Sequence, residues 1–124
     1  MLFYKPITNL DEIKFLFNLT STDENSVYGA YIAVEGDKQL GKCIIKIDNM
    51  NCEISNLEVE INDELLIEGL LRASLNFAGN RNAYMARCSD EKIKDILLLL
   101  GFQKKDDYYE GDIPTLLLGS CCKH

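Results

Sequence analysis

Cys52–Phe102 reads CEISNLEVEINDELLIEGLLRASLNFAGNRNAYMARCSDEKIKDILLLLGF, and the spacing of its apolar residues decides the fold class. Period-two alternation comes first, then a stripe at helical intervals, then a short apolar strand, then a second helical stripe that stops at Gly101 before Phe102. The order is strand, helix, strand, helix. A strand that follows a helix in this way is expected to run parallel to its predecessor in a right-handed unit.

The first strand slips phase. Cys52 and Ile54 are apolar at even positions, whereas Leu57, Val59 and Ile61 are apolar at odd ones. Side chains alternate faces along a strand, so one uninterrupted strand cannot bury both sets on one side. An extra residue near Ser55-Asn56, a β-bulge, restores the phase; burial of both faces or a bend in the strand are the alternatives. Asn62 is the expected N-cap of the following helix, with Asp63 and Glu64 in its acidic first turn. Leu66, Leu70, Ala73 and Phe77 form its inward stripe, and Gly69 predicts a close approach to the sheet. Asn82–Cys88 is the next strand, Ser89 the next cap, and Ile93, Ile96, Leu97 and Leu100 the next inward stripe. Leu98 and Leu99 lie outside that stripe.

Upstream, Leu2–Tyr4 reads as an edge strand, and Thr8 opens a capping box for a helix over Asn9–Leu19. The polar run Thr20–Ser26 is a loop. Val27–Glu35 and Leu40–Ile47 alternate as strands between turn residues, which with the strand at Cys52 makes an antiparallel meander. Downstream, Phe102–Asp112 is expected as one strand carrying Tyr108 and Tyr109. Residues from about 113 are expected as a tail, with Pro114 as a breaker and an apolar Leu116–Leu118 patch. Residues 1–124 therefore read as one α+β domain with a mixed sheet, a meander followed by strand-helix-strand-helix-strand around a central bulged strand.

With 13 Lys and Arg against 20 Asp and Glu, the net charge of −7 disfavours nucleic acid and anionic membrane and suits amines. The longest apolar run, Ile96–Leu100, is far short of a membrane span. The start shows no basic residues ahead of an apolar stretch, so no secretory leader is expected. Five cysteines without framework spacing fit a reducing cytoplasm. Cys121-Cys122-Lys123-His124 lacks two further ligands, so no metal is expected there. His124 is the one histidine, which leaves Ser-His or Cys-His catalysis without a base.

The element order resembles the GNAT superfamily of acyl-CoA-dependent N-acetyltransferases. Glu53-Ile54-Ser55-Asn56-Leu57-Glu58-Val59 is similar to that family's fourth strand. Leu100-Gly101-Phe102, ahead of a tyrosine-bearing strand, is similar to the end of its last helix. The resemblance implies a slot for the pantetheine arm of acetyl-CoA beside the bulged strand. Main-chain groups of Asn56, Leu57 and Val59 would meet the thioester, and Asp90 stands at a position that is often asparagine. Glu53 or Glu58 would act as general base toward a small-molecule or peptide amine. The family's acid tyrosine corresponds to Leu97, which leaves Tyr108 or Tyr109 as substitutes. The pyrophosphate motif of the family, Arg/Gln-x-x-Gly-x-Gly/Ala, corresponds to the stretch from Glu60 to Gly69. Leu65 and Ile67 stand there in place of glycines, and Glu60, Asp63, Glu64 and Glu68 surround them. Two functions are implied by the resemblance. One is acetyl transfer from acetyl-CoA; the other is a catalytically silent binding or assembly module, homodimeric through Leu98-Leu99 or Leu116–Leu118.

Overall fold

Three strands of alternating apolar residues, joined by turns at Gly36 and Asn49 that both adopt positive φ, build the first half of the sheet. The computed structural model describes residues 1–121. In chain order these form β1 (Leu2–Ile7), α1 (Leu10–Phe17), β2 (Val27–Glu35), β3 (Lys38–Asp48), β4 (Asn51–Val59), α2 (Glu64–Gly79) and β5 (Met85–Cys88). A 3-10 turn over Glu91–Ile93 leads into α3 (Lys94–Leu100), and β6 (Gln103–Lys104), β7 (Tyr109–Asp112) and α4 (Ile113–Cys121) come after it. The strands make one 7-stranded sheet in the order β1-β2-β3-β4-β5-β7-β6. Every pairing is antiparallel except β4–β5, which is parallel as the helical crossover requires. This is the α+β mixed sheet expected from the sequence.

The two faces of the sheet are covered unequally. On one face Cys43, Ile45, Cys52, Ile54 and Leu57 pack against Leu66, Leu70, Leu71 and Leu75 of α2, Leu97 and Leu100 of α3, and Leu116 of α4. On the other, a smaller cluster of Ile7, Ile13, Phe17, Ala30 and Ile44 holds α1 over the β1–β3 end. Among the described residues no helix covers the β4–β5–β7 end of that second face. There Glu53 and Arg87 point outward between buried neighbours (Cys52 and Ile54, Ala86 and Cys88).

Several boundaries differ from expectation. Asn9, not Thr8, caps α1, its Oδ1 accepting from the Glu12 N–H at 3.0 Å. Asp63, not Asn62, caps α2, and Asp90, not Ser89, caps the 3-10 turn. The expected single strand over 102–112 is a hairpin, β6 and β7, closed by the Lys105 N–H donating to the Tyr108 carbonyl at 2.8 Å. The expected tail is helix α4 through residue 121. Pro114 lies in its first turn, where a missing N–H costs nothing, and the Asp112 carboxylate accepts from the Thr115 N–H at 2.9 Å. Residues 122–124, and with them Cys122 and His124 of the terminal Cys-Cys-Lys-His run, lie outside the described residues. The expected apolar patch divides: Leu116 is buried and Leu118 is exposed.

Gly69 abuts the Tyr4 side chain of β1, the close approach expected of it. Gly29 of β2 is tightly confined too, because a methyl group there would overlap the Phe77 ring. That ring is held edge-on by Tyr31, with centroids 6.2 Å apart, and lies under the Arg81 guanidinium at 3.5 Å. Gly29→Ala is therefore expected to destabilise by about 1–3 kcal/mol through overpacking. A urea titration would register it as a lower midpoint with unchanged slope.

Candidate functional site

β4 and β5 pair only from Asn51↔Met85 to Glu53↔Arg87, and beyond that they diverge. The cause is local. Between Lys42↔Glu58 and Ile44↔Ser55, β4 spends one residue more than β3, and Asn56 takes up the excess in a left-handed conformation with φ 52°. Asparagine tolerates that region better than most residues do. The bulge falls where the phase slip between Ile54 and Leu57 placed it, and it leaves the β5-facing edge of β4 from Ile54 onward without a strand partner.

A run of adjoining cavities lines the divergence. At one end a volume of about 350 Å³ is lined by Leu57, Glu58, Val59 and Ile67 on one side and by Asp90 and Lys92 on the other. It continues into about 330 Å³ between Ser55, Asn56 and Leu57 of β4 and Ser89, Asp90 and Lys92 after β5. Ser89 is shared with a third cavity of about 220 Å³ beside Glu53, Arg87, Asp107 and Tyr108. Glu53 and Arg87 in turn wall a fourth, about 270 Å³, with Lys46 and Asp48.

The structure therefore brings Asn56, Leu57, Val59 and Asp90 together around the first two cavities, with Glu58 among them. Glu53 is separated from Glu58 and sits with Tyr108 at the far end. Tyr109 is committed elsewhere: it is 2% exposed, and its hydroxyl donates to Glu91 Oε1 at 3.1 Å. The same carboxylate accepts from Lys104 Nζ at 2.8 Å, and these two donors, Lys104 first, hold Glu91 below the usual carboxylate range. Leu97 is wholly buried. Arg87, Ser89 and Lys92, which sequence reasoning did not place at the site, are part of the lining. The sequence signal for Arg87 was its position between Ala86 and Cys88, which marks it as facing away from the core.

At the mouth of the slot, Asp63 uses Oδ1 to accept from the Leu65 and Leu66 N–H groups at 2.9 and 3.4 Å. Amides that could face an anion at this helix start are already given to a carboxylate. The field there is negative enough to act on Tyr4, whose hydroxyl pKa is raised by burial first and then by Asp63 and Glu68. Across the slot, the Lys92 ammonium makes no hydrogen bond or ion pair among the described residues, and it is the one cation lining the first two cavities. Asp90 uses its side chain to accept from the Lys92 N–H at 3.0 Å, which fixes the turn that presents this lysine. Among the described residues there is no cluster of three or more His, Cys, Asp or Glu placed to hold a metal, and no helix is long and apolar enough to cross a membrane.

The three described free cysteines are core residues. Burial pushes the Cys43 and Cys88 thiols up to about 11 and the Cys52 thiol up to about 12. In the unfolded chain they ionise near 9.0. Above that pH the unfolded state has lost thiol protons that the folded state keeps, so folding stability falls as pH rises from about 9 toward 11–12. Native protein at neutral pH is expected to resist alkylation at all three, with rapid labelling once urea unfolds it.

Against solved structures about nine-tenths of the chain finds counterparts. It is similar to the ribosomal-protein-S18-alanine N-acetyltransferase from Escherichia coli (TM-score 0.70, 12% identity, 91% of this chain and 94% of that one). It is also similar to an N-acetyltransferase from Staphylococcus aureus (TM-score 0.69, 15% identity, 92% and 99%). A third is an Escherichia coli protein described as an N-acetyltransferase and solved bound to coenzyme A (TM-score 0.64, 13% identity, 90% and 98%). No protein-family model matches the chain, and no curated protein matches it either. The fold is that of the GNAT acetyltransferases, with its bulged fourth strand and diverging fourth and fifth strands.

Proposed function

We propose that this chain is an acyltransferase of the GNAT type that moves an acetyl group from acetyl-CoA to an amine of a small molecule or peptide. The observation that carries the reading is the slot opened by the Asn56 bulge, where the β5-facing edge of β4 has no strand partner from Ile54 to Val59. In this reading main-chain groups of Asn56, Leu57 and Val59 on that edge orient the arm and thioester, while Asp90 and Lys92 form the opposite wall. Glu53 takes the proton that the acceptor amine loses as its nitrogen bonds to the acyl carbon. Tyr108 supplies a proton to the sulfur as the carbon–sulfur bond breaks. Both side chains line the cavity at the far end of the slot, opposite the entrance for the donor.

A second reading, a binding or assembly module without turnover, is favoured by the Asp63 cap and the acidic residues beside it. Leu98 (48% exposed), Leu99 (61%) and Leu118 (66%) would serve it as a dimer seam. Calorimetric titration with acetyl-CoA separates the two. Donor at 100 times its dissociation constant stabilises the fold by about 2.7 kcal/mol. Micromolar binding with thiol release in the presence of amines supports the transferase. A flat titration at millimolar donor, with a dimeric mass in solution, supports the module.

A further inference from the structure

We propose that the acceptor carries a carboxylate beside the reacting amine, and that Arg87 is the receptor for that carboxylate. The inference rests on the acyl-transfer reading and names the substrate class of the same site.

Four side chains stand in one cross-strand row on the uncovered sheet face: Lys46 of β3 opposite Glu53 of β4, Glu53 opposite Arg87 of β5, and Arg87 opposite Glu110 of β7. Their signs alternate. Within that row Arg87 is the side chain whose orientation is fixed on two sides. Its Nε donates to Glu110 Oε2 at 2.8 Å, and its guanidinium carbon lies 4.7 Å from the centre of the Tyr108 ring. The two terminal nitrogens have no hydrogen-bond partner among the described residues, and the side chain is 48% exposed. What remains open is a planar fork held by packing and by its third nitrogen, and it borders both cavities that flank Glu53. That is the geometry in which arginine grips a carboxylate through two parallel hydrogen bonds, which a lysine ammonium cannot reproduce.

The rest of the groove selects against ligands of one sign. Glu53 lies one strand away from Arg87, about 4.8 Å in backbone spacing, with Asp48 and Asp107 on the flanks. A plain amine would satisfy these carboxylates and leave the guanidinium fork idle. A plain acid would meet three carboxylates against Arg87 and Lys46, the latter already 3.9 Å from Asp23. A molecule holding an ammonium and a carboxylate within a few ångströms, such as a free amino acid or the free end of a short peptide with an acidic neighbour, satisfies both. Cross-strand pairing alone does not call for arginine, because lysine would complete the alternating row equally well.

The test uses the intact chain with acetyl-CoA and a panel of free amino acids, each paired with its own carboxamide. Thiol release is measured for wild type, Arg87→Lys and Arg87→Gln. The amino acids are expected to show a KM about tenfold or more below that of their carboxamides. Both substitutions should erase that preference by raising the KM of the acids, so that the ratio of carboxamide KM to acid KM falls to about one. Arg87→Lys keeps the charge row, so its failure to rescue identifies the fork. Titration without donor, monitored at the Arg87 Nε–H resonance, reads the same site independently of turnover: a shift with the acid and none with the carboxamide supports the assignment. Equal KM for acids and carboxamides, or an acid preference that survives Arg87→Gln, overturns it. Absence of acetyl-CoA binding overturns the acyl-transfer reading instead, and the resonance titration then still decides whether Arg87 holds carboxylates.

Discussion

Glu53→Gln is expected to lower the turnover of acetyl transfer about a hundredfold while leaving folding stability within about 0.5 kcal/mol of the parent. The substitution keeps the shape and length of the side chain and removes only its capacity to take a proton. Glu53 is exposed and its side chain makes no hydrogen bond or ion pair among the described residues, so a structural explanation for lost activity would be hard to sustain. Glu58→Gln is the matched control. Its side chain lines the donor half of the slot with Leu57 and Val59, away from Arg87 and Tyr108, so it should alter the KM for donor more than kcat. The pair of variants decides between two carboxylates that the sequence alone left open. Equal loss of kcat in both, or a larger loss at Glu58, would move the base to the donor side of the bulge.

The reason the sequence could not choose between them is also the reason it found the bulge. The slip from Cys52 and Ile54 to Leu57 and Val59 records which residues face the core, and that record survives in one strand read by itself. Glu53 and Glu58 both lie outside the buried set, so the same record treats them alike. Only the register with β5, Glu53 opposite Arg87 and no β5 residue opposite Glu58, separates the proposed acceptor end from the proposed donor end. Pairing between distant strands leaves no local periodicity, which is why Ser89 and Lys92 gave no sign of belonging to the site and Arg87 showed only that it faces away from the core. The misplaced caps have another origin. Thr8-Asn9, Asn62-Asp63 and Ser89-Asp90 each offer two adjacent cap-competent residues, and the second is the one with extended backbone and a capping side chain every time. The β6–β7 hairpin turns through Lys105, Asp106, Asp107 and Tyr108 with neither glycine nor proline, so the paired aspartates were its one turn signal and the stretch read as a single strand. Pro114 misled in the opposite sense, since a breaker in mid-helix is a normal residue in a first turn.

Replacing Asp63 with glycine is expected to tighten acetyl-CoA binding about tenfold or more, with no change for acetyl-pantetheine, which has the thioester arm and no diphosphate. In the parent, a diphosphate approaching the start of α2 must compete with a carboxylate already bonded to the Leu65 and Leu66 N–H groups, and must do so against its charge. Like charges about 4 Å apart cost about 1 kcal/mol even at the dielectric constant of water, and more as the site dries. Removing the carboxylate lifts that repulsion and returns two amides to the helix start, where anions are favoured by a further 0.3–1 kcal/mol or so. Glycine is the informative choice because it costs the helix only about a few tenths of a kcal/mol at an N-cap. Asp63→Asn separates the two contributions: it removes the charge, but its amide oxygen can still accept from the same N–H groups, so it should recover only part of the gain. Equal donor affinity in all three proteins would mean that the diphosphate never reaches this helix. Lys92, the ammonium across the slot, would then be the place to look for its anchor, and Lys92→Gln should weaken acetyl-CoA while sparing acetyl-pantetheine.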